Sequence, residues 1–273
     1  EISFALYFDN VNLYFSFIFC FLSILFNGLA WKSIIIWLGS RYIDNDLTFF
    51  FIATNSLKYL PGSVWHFIER FNFLKKKTNK NIALYGTLIE PYLMLSVSLL
   101  ISSLGVIFNP FLILLLSPSF FLNKRFIYFL LKILKSFKVK QYDFINTGGF
   151  NSELYSSIKC KSFFPLRAFL IEVFFIVSKF LAFLFCLNIF LDISQINISL
   201  VLIIFCISWS IGLIVPAAPG GAGVFETFFL LFIGNAYPQN LMLETLIYFR
   251  VISTVADLML SSPFIFKKYI FKN

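Results

Sequence analysis

The sequence has few of the residues from which most catalytic and metal sites are built. Only 13% of its 273 residues are charged, and His66 is the single histidine. One histidine excludes a metal site with several histidine ligands, and it excludes a Ser-His-Asp triad away from residue 66. The cysteines show neither a disulfide framework nor the paired spacing of metal ligands; they are Cys20, Cys160, Cys186 and Cys206. We therefore predict that the protein uses no metal and no other cofactor.

Apolar residues make up most of the chain. Hydrophobic residues account for 59% of the sequence, and 40 residues are phenylalanine. A soluble domain is nearer 45–50% apolar and about 25% charged, so a bilayer is the solvent that suits this composition. The phenylalanines are predicted to face lipid or fill the core. We predict a single integral membrane domain over residues 1–273.

The net charge of +9 does not indicate nucleic-acid binding. Basic residues lie between or beside apolar segments, at 75–80, 124–140, 159–167 and 267–272. This is the positive-inside pattern of a membrane protein, and contact with anionic headgroups is a second interpretation. The pattern predicts a cytoplasmic basic loop at about 123–164, with an amphipathic helix at 124–140, in a protein of the plasma (inner) membrane.

The lengths of the apolar runs predict the membrane elements. A span needs about 20 apolar residues. Residues 47–71 are too polar and too interrupted for an ordinary span, so we predict a re-entrant or interfacial element there. Residues 223–236 would form a helix of about 21 Å, too short for a hydrocarbon core of about 30 Å, which predicts a half-helix. Spans are predicted at 12–38, at 82–122 as a hairpin of two, and at 166–190, 198–216 and 242–266. The fold class is an all-α polytopic membrane bundle with broken segments.

The segment Ile214–Glu226 holds two prolines and three glycines in an otherwise apolar region. Irregular backbone at membrane depth is tolerated where it is buried in protein or lines a watery cavity. We predict a break that begins a half-helix, with free amides at Gly221–Val224 forming an anion site at the positive helix end. The alternative is that Glu226 only complements the dipole of its own helix. No Gly-Lys-Ser/Thr follows, which excludes a Walker-type phosphate loop.

A second segment, Leu60–Glu69, echoes Ala218–Glu226. Each has Pro-Gly, then an aromatic residue, then a glutamate seven or eight residues after the proline. Broken segments in corresponding halves point to a transporter site, so a weak internal repeat is one interpretation and a chance match is the other. His66 and Glu69 lie three residues apart on one helix face. Three interpretations stay open: a proton shared between them, contact with a lipid headgroup, or an interfacial polar face without a further role.

Charged residues inside predicted spans need partners. Arg250 lies well within the last span, where an ionised side chain costs roughly 2.5–3.5 kcal/mol. Asp257 and Glu226 are its predicted protein partners; a lipid phosphate is the functional alternative, and a purely structural ion pair is the other interpretation. Glu172 and Lys179, seven residues apart in one span, are predicted to form a structural pair.

Two stretches carry a resemblance to a known family. Pro219–Glu226, followed by Tyr248-Phe249-Arg250, resembles the signature of the flippase-like membrane domain found in lysylphosphatidylglycerol synthases and their stand-alone relatives. Asn55–Arg70, with Leu60-Pro61-Gly62, resembles the family's N-terminal Asn…Pro-Gly…Arg segment, and Glu90 falls where the family has an acid early in a helix. The substrate-binding residues suggested by these patterns are Pro61, Gly62, His66, Glu69, Arg70, Glu90, Pro219, Gly220, Gly221, Gly223, Glu226, Arg250 and Asp257.

The resemblance implies the handling of membrane lipids in a bacterial membrane. It does not imply aminoacylation, because the soluble aminoacyl-transferase domain of the synthases is absent from this sequence. The family usually begins with one more helix, and this chain begins with Glu1 rather than Met, so we expect that a first helix is missing.

Three functions stay open at this point. The first is movement of a phospholipid, or of another phosphate-bearing lipid, between leaflets, with the lipid headgroup as partner. The second is a non-transporting membrane subunit that binds another protein of an envelope pathway. The third is a membrane transferase acting on a lipid-linked substrate, against which the lack of a nucleotide-binding loop argues.

Overall fold

A computed structural model describes residues 10–44, 46–107, 109–120, 160–215 and 219–270. Within those ranges the regular structure is entirely helical and contains no strand. The predicted all-α bundle is thereby confirmed. The amphipathic helix predicted at 124–140, and most of the predicted basic loop, lie outside the described residues.

The described chain contains eight helices of ten or more residues, which we number in order. Short 3₁₀ helices, Ser56–Tyr59 and Pro219–Gly221, lie before the third and seventh of them. The helices are α1 (Val11–Trp37), α2 (Asp46–Asn55), α3 (Trp65–Lys77), α4 (Lys80–Ser103), α5 (Leu166–Phe190), α6 (Ile198–Ile214), α7 (Val224–Ile233) and α8 (Gln239–Ile270).

Three of these helices, α1, α4 and α5, are long and apolar enough to cross a membrane. They have 27, 24 and 25 residues, which corresponds to about 36–40 Å against a hydrocarbon core of about 30 Å. The spans predicted at 12–38 and 166–190 match α1 and α5 to within one residue. Helix α8 is longer, at 32 residues, but it carries Glu244, Arg250 and Asp257.

The predicted pair of spans over 82–122 is only half right. Helix α4 ends at Ser103, and the chain continues as 3₁₀ helices and a single α-helical turn up to residue 120. It does fold back, because the Tyr92 hydroxyl donates a hydrogen bond to the Pro118 carbonyl (2.8 Å). Pro110 begins a 3₁₀ helix there, and within the described residues this return leg is not a spanning helix.

One end of the bundle is rich in basic residues, and we call it the basic end. The backbone N–H of Lys161 donates to the Trp37 carbonyl (3.0 Å), which places the start of α5 beside the end of α1. Helix α4 begins there too, directly after α3. The cations at this end are Arg41, Lys75, Lys76, Lys77, Lys80, Lys161 and Arg167.

Two hairpins of shorter helices enter the bundle from opposite ends. Helices α2 and α3 follow α1 at the basic end, and the rings of Phe50 and Phe73 stack between them with centroids 4.0 Å apart. Helices α6 and α7 belong to the other end, where the Asn197 N–H donates to the Tyr237 hydroxyl (2.8 Å). The re-entrant element and the half-helix predicted from the sequence are thus parts of two hairpins whose tips are the 3₁₀ helices Ser56–Tyr59 and Pro219–Gly221.

Aromatic rings fill the core between α5, α8 and the α6–α7 hairpin. The ring of Phe183 contacts those of Phe205 (5.3 Å between centroids) and Phe249 (5.5 Å), and Phe205 contacts Phe225 (5.4 Å). All four rings are buried and meet in tilted or edge-on geometry, which aromatic pairs favour. These phenylalanines are core residues, as predicted.

A second core, between α1, α2 and α4, depends on Trp31. Its indole is fully buried and donates from Nε1 to the Gly86 carbonyl (2.8 Å). We expect Trp31→Phe to lower the free energy of unfolding by about 1–3 kcal/mol, through the lost hydrogen bond and the gap it leaves. Trp65→Phe is the matched control, because the Trp65 indole makes a similar bond to Pro61 (2.9 Å) at the surface. Thermal unfolding in detergent measures both, and equal losses would contradict the prediction.

Candidate functional site at the meeting of the hairpin tips

The tips of the two hairpins touch each other. A Cβ atom placed on Gly220 would lie 2.9 Å from a ring carbon of Tyr59. The Tyr59 ring can therefore pack this closely against residue 220 only because that residue is glycine. Gly220 also has φ +60, which glycine adopts at little cost. Helix α8 passes both tips and presents Arg250 to one and Asp257 to the other. The structure therefore brings together the predicted site residues of the C-terminal half.

Arg250 binds the tip of the α6–α7 hairpin with three hydrogen bonds. Its Nε donates to Glu226 Oε1 (2.7 Å), and its terminal nitrogens donate to the carbonyls of Gly220 (2.8 Å) and Gly221 (3.1 Å). The side chains of Arg250 and Glu226 are 26% and 16% exposed. Of the two partners predicted for Arg250, Glu226 is confirmed.

The prediction of free amides at this tip is wrong for two of the residues. The Gly223 N–H donates to Glu226 Oε2 (2.7 Å), and the Ala222 N–H donates to the Pro219 carbonyl (3.2 Å). Glu226 is the third residue of α7, and its carboxylate caps its own helix while also pairing with Arg250, so the alternative that it only complements the helix dipole is too narrow. The chain's own acid occupies the positive helix end, and carbonyl oxygens rather than amides face the guanidinium.

Asp257 binds the tip of the other hairpin, which corrects its predicted pairing with Arg250. The carboxyl is 1% exposed and lies 2.7 Å from the Lys58 ammonium. Its Oδ1 accepts a hydrogen bond from the Asn55 amide (2.7 Å), and its Oδ2 accepts one from the Tyr59 hydroxyl (2.6 Å). Asn55 was named as the first residue of the family-like segment, whereas Lys58 and Tyr59 were not predicted, although their polarity within an apolar run was a signal.

Arg70 and Glu90 form a separate buried pair between α3 and α4. The guanidinium is 3.5 Å from Glu90 Oε2, with both side chains almost completely buried. Arg70 also donates to the Thr54 hydroxyl (3.2 Å) and lies 3.5 Å from the centre of the Phe51 ring. This pair ties the α2–α3 hairpin to α4, and it is not part of the contact between the tips.

The remaining predicted residues of the first hairpin lie away from the tip contact. Pro61 and Gly62 are exposed, and a Cβ on Gly62 would meet nothing within 4 Å. His66 Nδ1 is buried without a hydrogen-bond partner. Burial, together with the charges of Arg70 and Lys58, lowers the pKa of His66, which lies outside the spanning helices, to about 2. A neutral His66 does not support the proton predicted to be shared with Glu69.

The predicted pair of Glu172 and Lys179 is wrong. Both oxygens of Glu172 are buried without a hydrogen-bond partner. Lys179 lies over the Phe249 ring, 5.7 Å from its centre. Seven residues put the two side chains about 10 Å apart along the helix axis, which is too far for an ion pair.

Asp44 and Asp46 have the Asp-x-Asp spacing that a metal-dependent transferase would use, a signal present in the sequence. The Tyr42 hydroxyl donates to Asp46 (3.2 Å) at the surface. No group of three potential metal ligands occurs in the part of the chain that the structure describes.

We expect Tyr59→Phe to lower the free energy of unfolding by about 1.5–3 kcal/mol, because a buried carboxylate loses a hydrogen-bond donor. The ring that touches Gly220 is kept. Tyr42→Phe removes the exposed hydrogen bond to Asp46 and should cost less than about 0.5 kcal/mol. Chemical unfolding of both variants measures the difference, and a loss in Tyr59→Phe no larger than in the control would count against the Asp257 contact.

We expect Gly221→Ala to destabilise the protein more than Gly62→Ala. Both glycines have positive φ (+74 and +90), so each alanine incurs about 1–2 kcal/mol of backbone strain. At Gly221 the added Cβ would also lie 3.1 Å from the carbonyl oxygen of Gly212 in α6, which is backbone and cannot rotate away. Melting temperatures of the two variants give the comparison, and equal shifts would show that this contact is unimportant.

Comparisons of the chain with protein-family models and with curated proteins each found no match. The likeness of Pro219–Glu226 and Arg250 to the flippase-like membrane domain therefore stays a prediction. The contacts at the hairpin tips have to carry any functional conclusion by themselves.

Proposed function

We propose that this protein moves a phospholipid, or another lipid with a phosphate-bearing headgroup, between the two leaflets of a bacterial plasma membrane. The observation that supports it most is the meeting of two hairpins, from opposite ends of the bundle, at a pair of partly exposed cations. Arg250 and Lys58 are each 26% exposed, and each is held by a carboxylate. In this proposal the basic end faces the cytoplasm.

Arg250 has the chemistry to exchange its carboxylate for a lipid phosphate. A guanidinium binds carboxylate and phosphate oxygens with the same fork of donors. If a phosphate replaces Glu226 on Arg250, the carboxylate keeps the Gly223 amide (2.7 Å) at the start of α7. The exchange therefore leaves neither group without a partner, which keeps its free-energy cost low.

The two hairpins suggest a route for the headgroup. Separation of the tips on the side of the basic end would open a path along α2 and α3, and separation on the other side would open one along α6 and α7. Broken helices that meet near the middle of a bundle are the usual site of substrate binding in transporters. In this scheme the contact of Tyr59 with Gly220 is the closed gate between the two paths.

Lys58 and Asp257 supply the charge balance for such a movement. Ionised groups inside a membrane are costly, so a phosphate can pass only where cations compensate it. Lys58 can turn toward the headgroup because it is partly exposed, while the Asn55 amide and the Tyr59 hydroxyl continue to hold the Asp257 carboxylate.

Reconstitution into phosphatidylcholine vesicles that contain a fluorescent phosphatidylglycerol tests the proposal. A membrane-impermeant reductant then reports how fast the labelled lipid changes leaflet. We expect Arg250→Gln to slow the movement at least about tenfold, since two or more hydrogen bonds to phosphate are lost. Lys76→Gln is the control, because it removes one exposed cation of α3 away from the tips, and it should behave as the wild type.

A wild-type protein that moves the probe no faster than protein-free vesicles would overturn the proposal. A stable complex with another envelope protein would then favour the non-transporting subunit. Consumption of an activated sugar or aminoacyl donor by the purified protein would favour the transferase.

A further inference from the structure

Glu172 is a fully buried carboxyl without a hydrogen-bond partner. It lies six residues into α5, its side chain is 0% exposed, and no donor reaches either of its oxygens. The other two fully buried carboxyls of the described ranges each face a cation, Glu90 facing Arg70 and Asp257 facing Lys58. Glu172 therefore differs from them in having no counter-ion.

Within the described ranges, no cation of the helices packed against α5 forms an ion pair with Glu172. Helix α4 contributes Glu90, whose charge acts unfavourably on an ionised Glu172. Helix α1 contributes Asn27, whose amide donates to Met94 Sδ (3.7 Å) and whose Oδ1 is buried without a partner. Phe26 of α1 stacks on Phe174 of α5, with centroids 5.7 Å apart, which places Asn27 and Glu172 at the same helix contact.

None of the other charged groups around α5 pairs with Glu172 within the described ranges. Lys179 is on α5 itself, but its ammonium lies over the Phe249 ring of α8, 5.7 Å from the ring centre. Lys32 of α1 and Arg167 of α5 lie nearer the basic end and are at least partly exposed. The charged group that acts on Glu172 is therefore the Glu90 carboxyl, which in turn pairs with the Arg70 guanidinium.

Two carboxyls and one guanidinium become electrically neutral when they bind one proton. An ionised carboxylate without a partner is very unfavourable in a low-dielectric interior, and such a group takes up a proton instead. Glu90 holds Arg70 at 3.5 Å, so the guanidinium already has its anion. The proton then belongs on Glu172.

We propose that Arg70, Glu90 and Glu172 form a proton-binding site of the bundle, and that Glu172 carries the proton in this conformation. Binding converts the Glu172 carboxylate and one proton into the neutral acid, and no other bond changes. Release requires that water or a cation reach Glu172, which ties proton exchange to an opening of the bundle. The use of this exchange to drive lipid movement rests on the proposed function, whereas the proton site itself does not.

Infrared difference spectroscopy of the purified full chain, in ordinary and in heavy water, tests the proton site directly. The carbonyl stretch of a protonated carboxyl absorbs at a different infrared frequency from the stretches of an ionised carboxylate. Near neutral pH we expect the wild type to show a protonated carboxyl band that is missing in Glu172→Gln. The band should persist in Glu244→Gln, the matched control, which changes a partly exposed acid of α8. A band that keeps its full intensity in Glu172→Gln would overturn the proposal.

Two further measurements distinguish a proton shared by Arg70, Glu90 and Glu172 from a protonated Glu172 that acts alone. Glu172→Gln is nearly isosteric and breaks no ion pair, so its melting temperature should not fall. Glu90→Gln leaves one guanidinium and one carboxyl, so the folded variant should lose the band although Glu172 is still present. Persistence of the band in folded Glu90→Gln would show that the three residues do not share one proton.

Vesicles with a pH difference across the membrane test the link to transport. We expect the pH difference to accelerate movement of the labelled phosphatidylglycerol by the wild type and to have no effect on Glu172→Gln. Lipid movement that is equally fast with and without the gradient in both proteins would refute the coupling and leave lipid translocation standing. A wild type that moves no lipid would refute the proposed function, while the infrared result still decides the proton site.

Discussion

The arrangement of the hairpin tips depends on the guanidinium of Arg250. Its three hydrogen bonds reach a carboxylate and two carbonyls of one tip, and all three bonds are partly buried. Without this side chain the acceptors would lose their donor where water has little access, which is more costly than the bonds themselves are favourable. The break at Pro219–Gly221 is stable because Arg250 satisfies it.

Glycine determines how closely the neighbouring elements can pack around that break. Gly221 lies against the backbone of Gly212, and Gly220 lies against the ring of Tyr59. The contact between Gly212 and Gly221 thus packs α6 against the tip of its own hairpin. Gly220 leaves room for Tyr59 of the opposite hairpin to reach the same tip. The hydroxyl of the same Tyr59 donates a hydrogen bond to Asp257 (2.6 Å). One side chain therefore provides both the packing against Gly220 and a hydrogen bond to α8.

The elements were predictable from sequence to the extent that periodicity and length define them. The limits of α1 and α5 follow from their apolar runs, and the half-helix follows from the glycines that precede it. Partners were harder to predict, because Asp257 meets Lys58 from almost 200 residues away while Arg250, seven residues from it, meets Glu226. The partner of each charged residue depends on which hairpin tip contacts which turn of α8, and this is a tertiary feature. The pairing of Glu172 with Lys179 fails for a simpler reason, because seven residues of one helix separate them by about 10 Å along its axis.

Helix α8 presents Arg250 to one hairpin and Asp257 to the other from a single rigid rod. Two turns separate the two residues, about 10 Å along the axis. In the proposed transport cycle, a slide or rotation of α8 against the hairpins would therefore strain both ion pairs together. Such a movement of α8 would link the release of one hairpin tip to the release of the other.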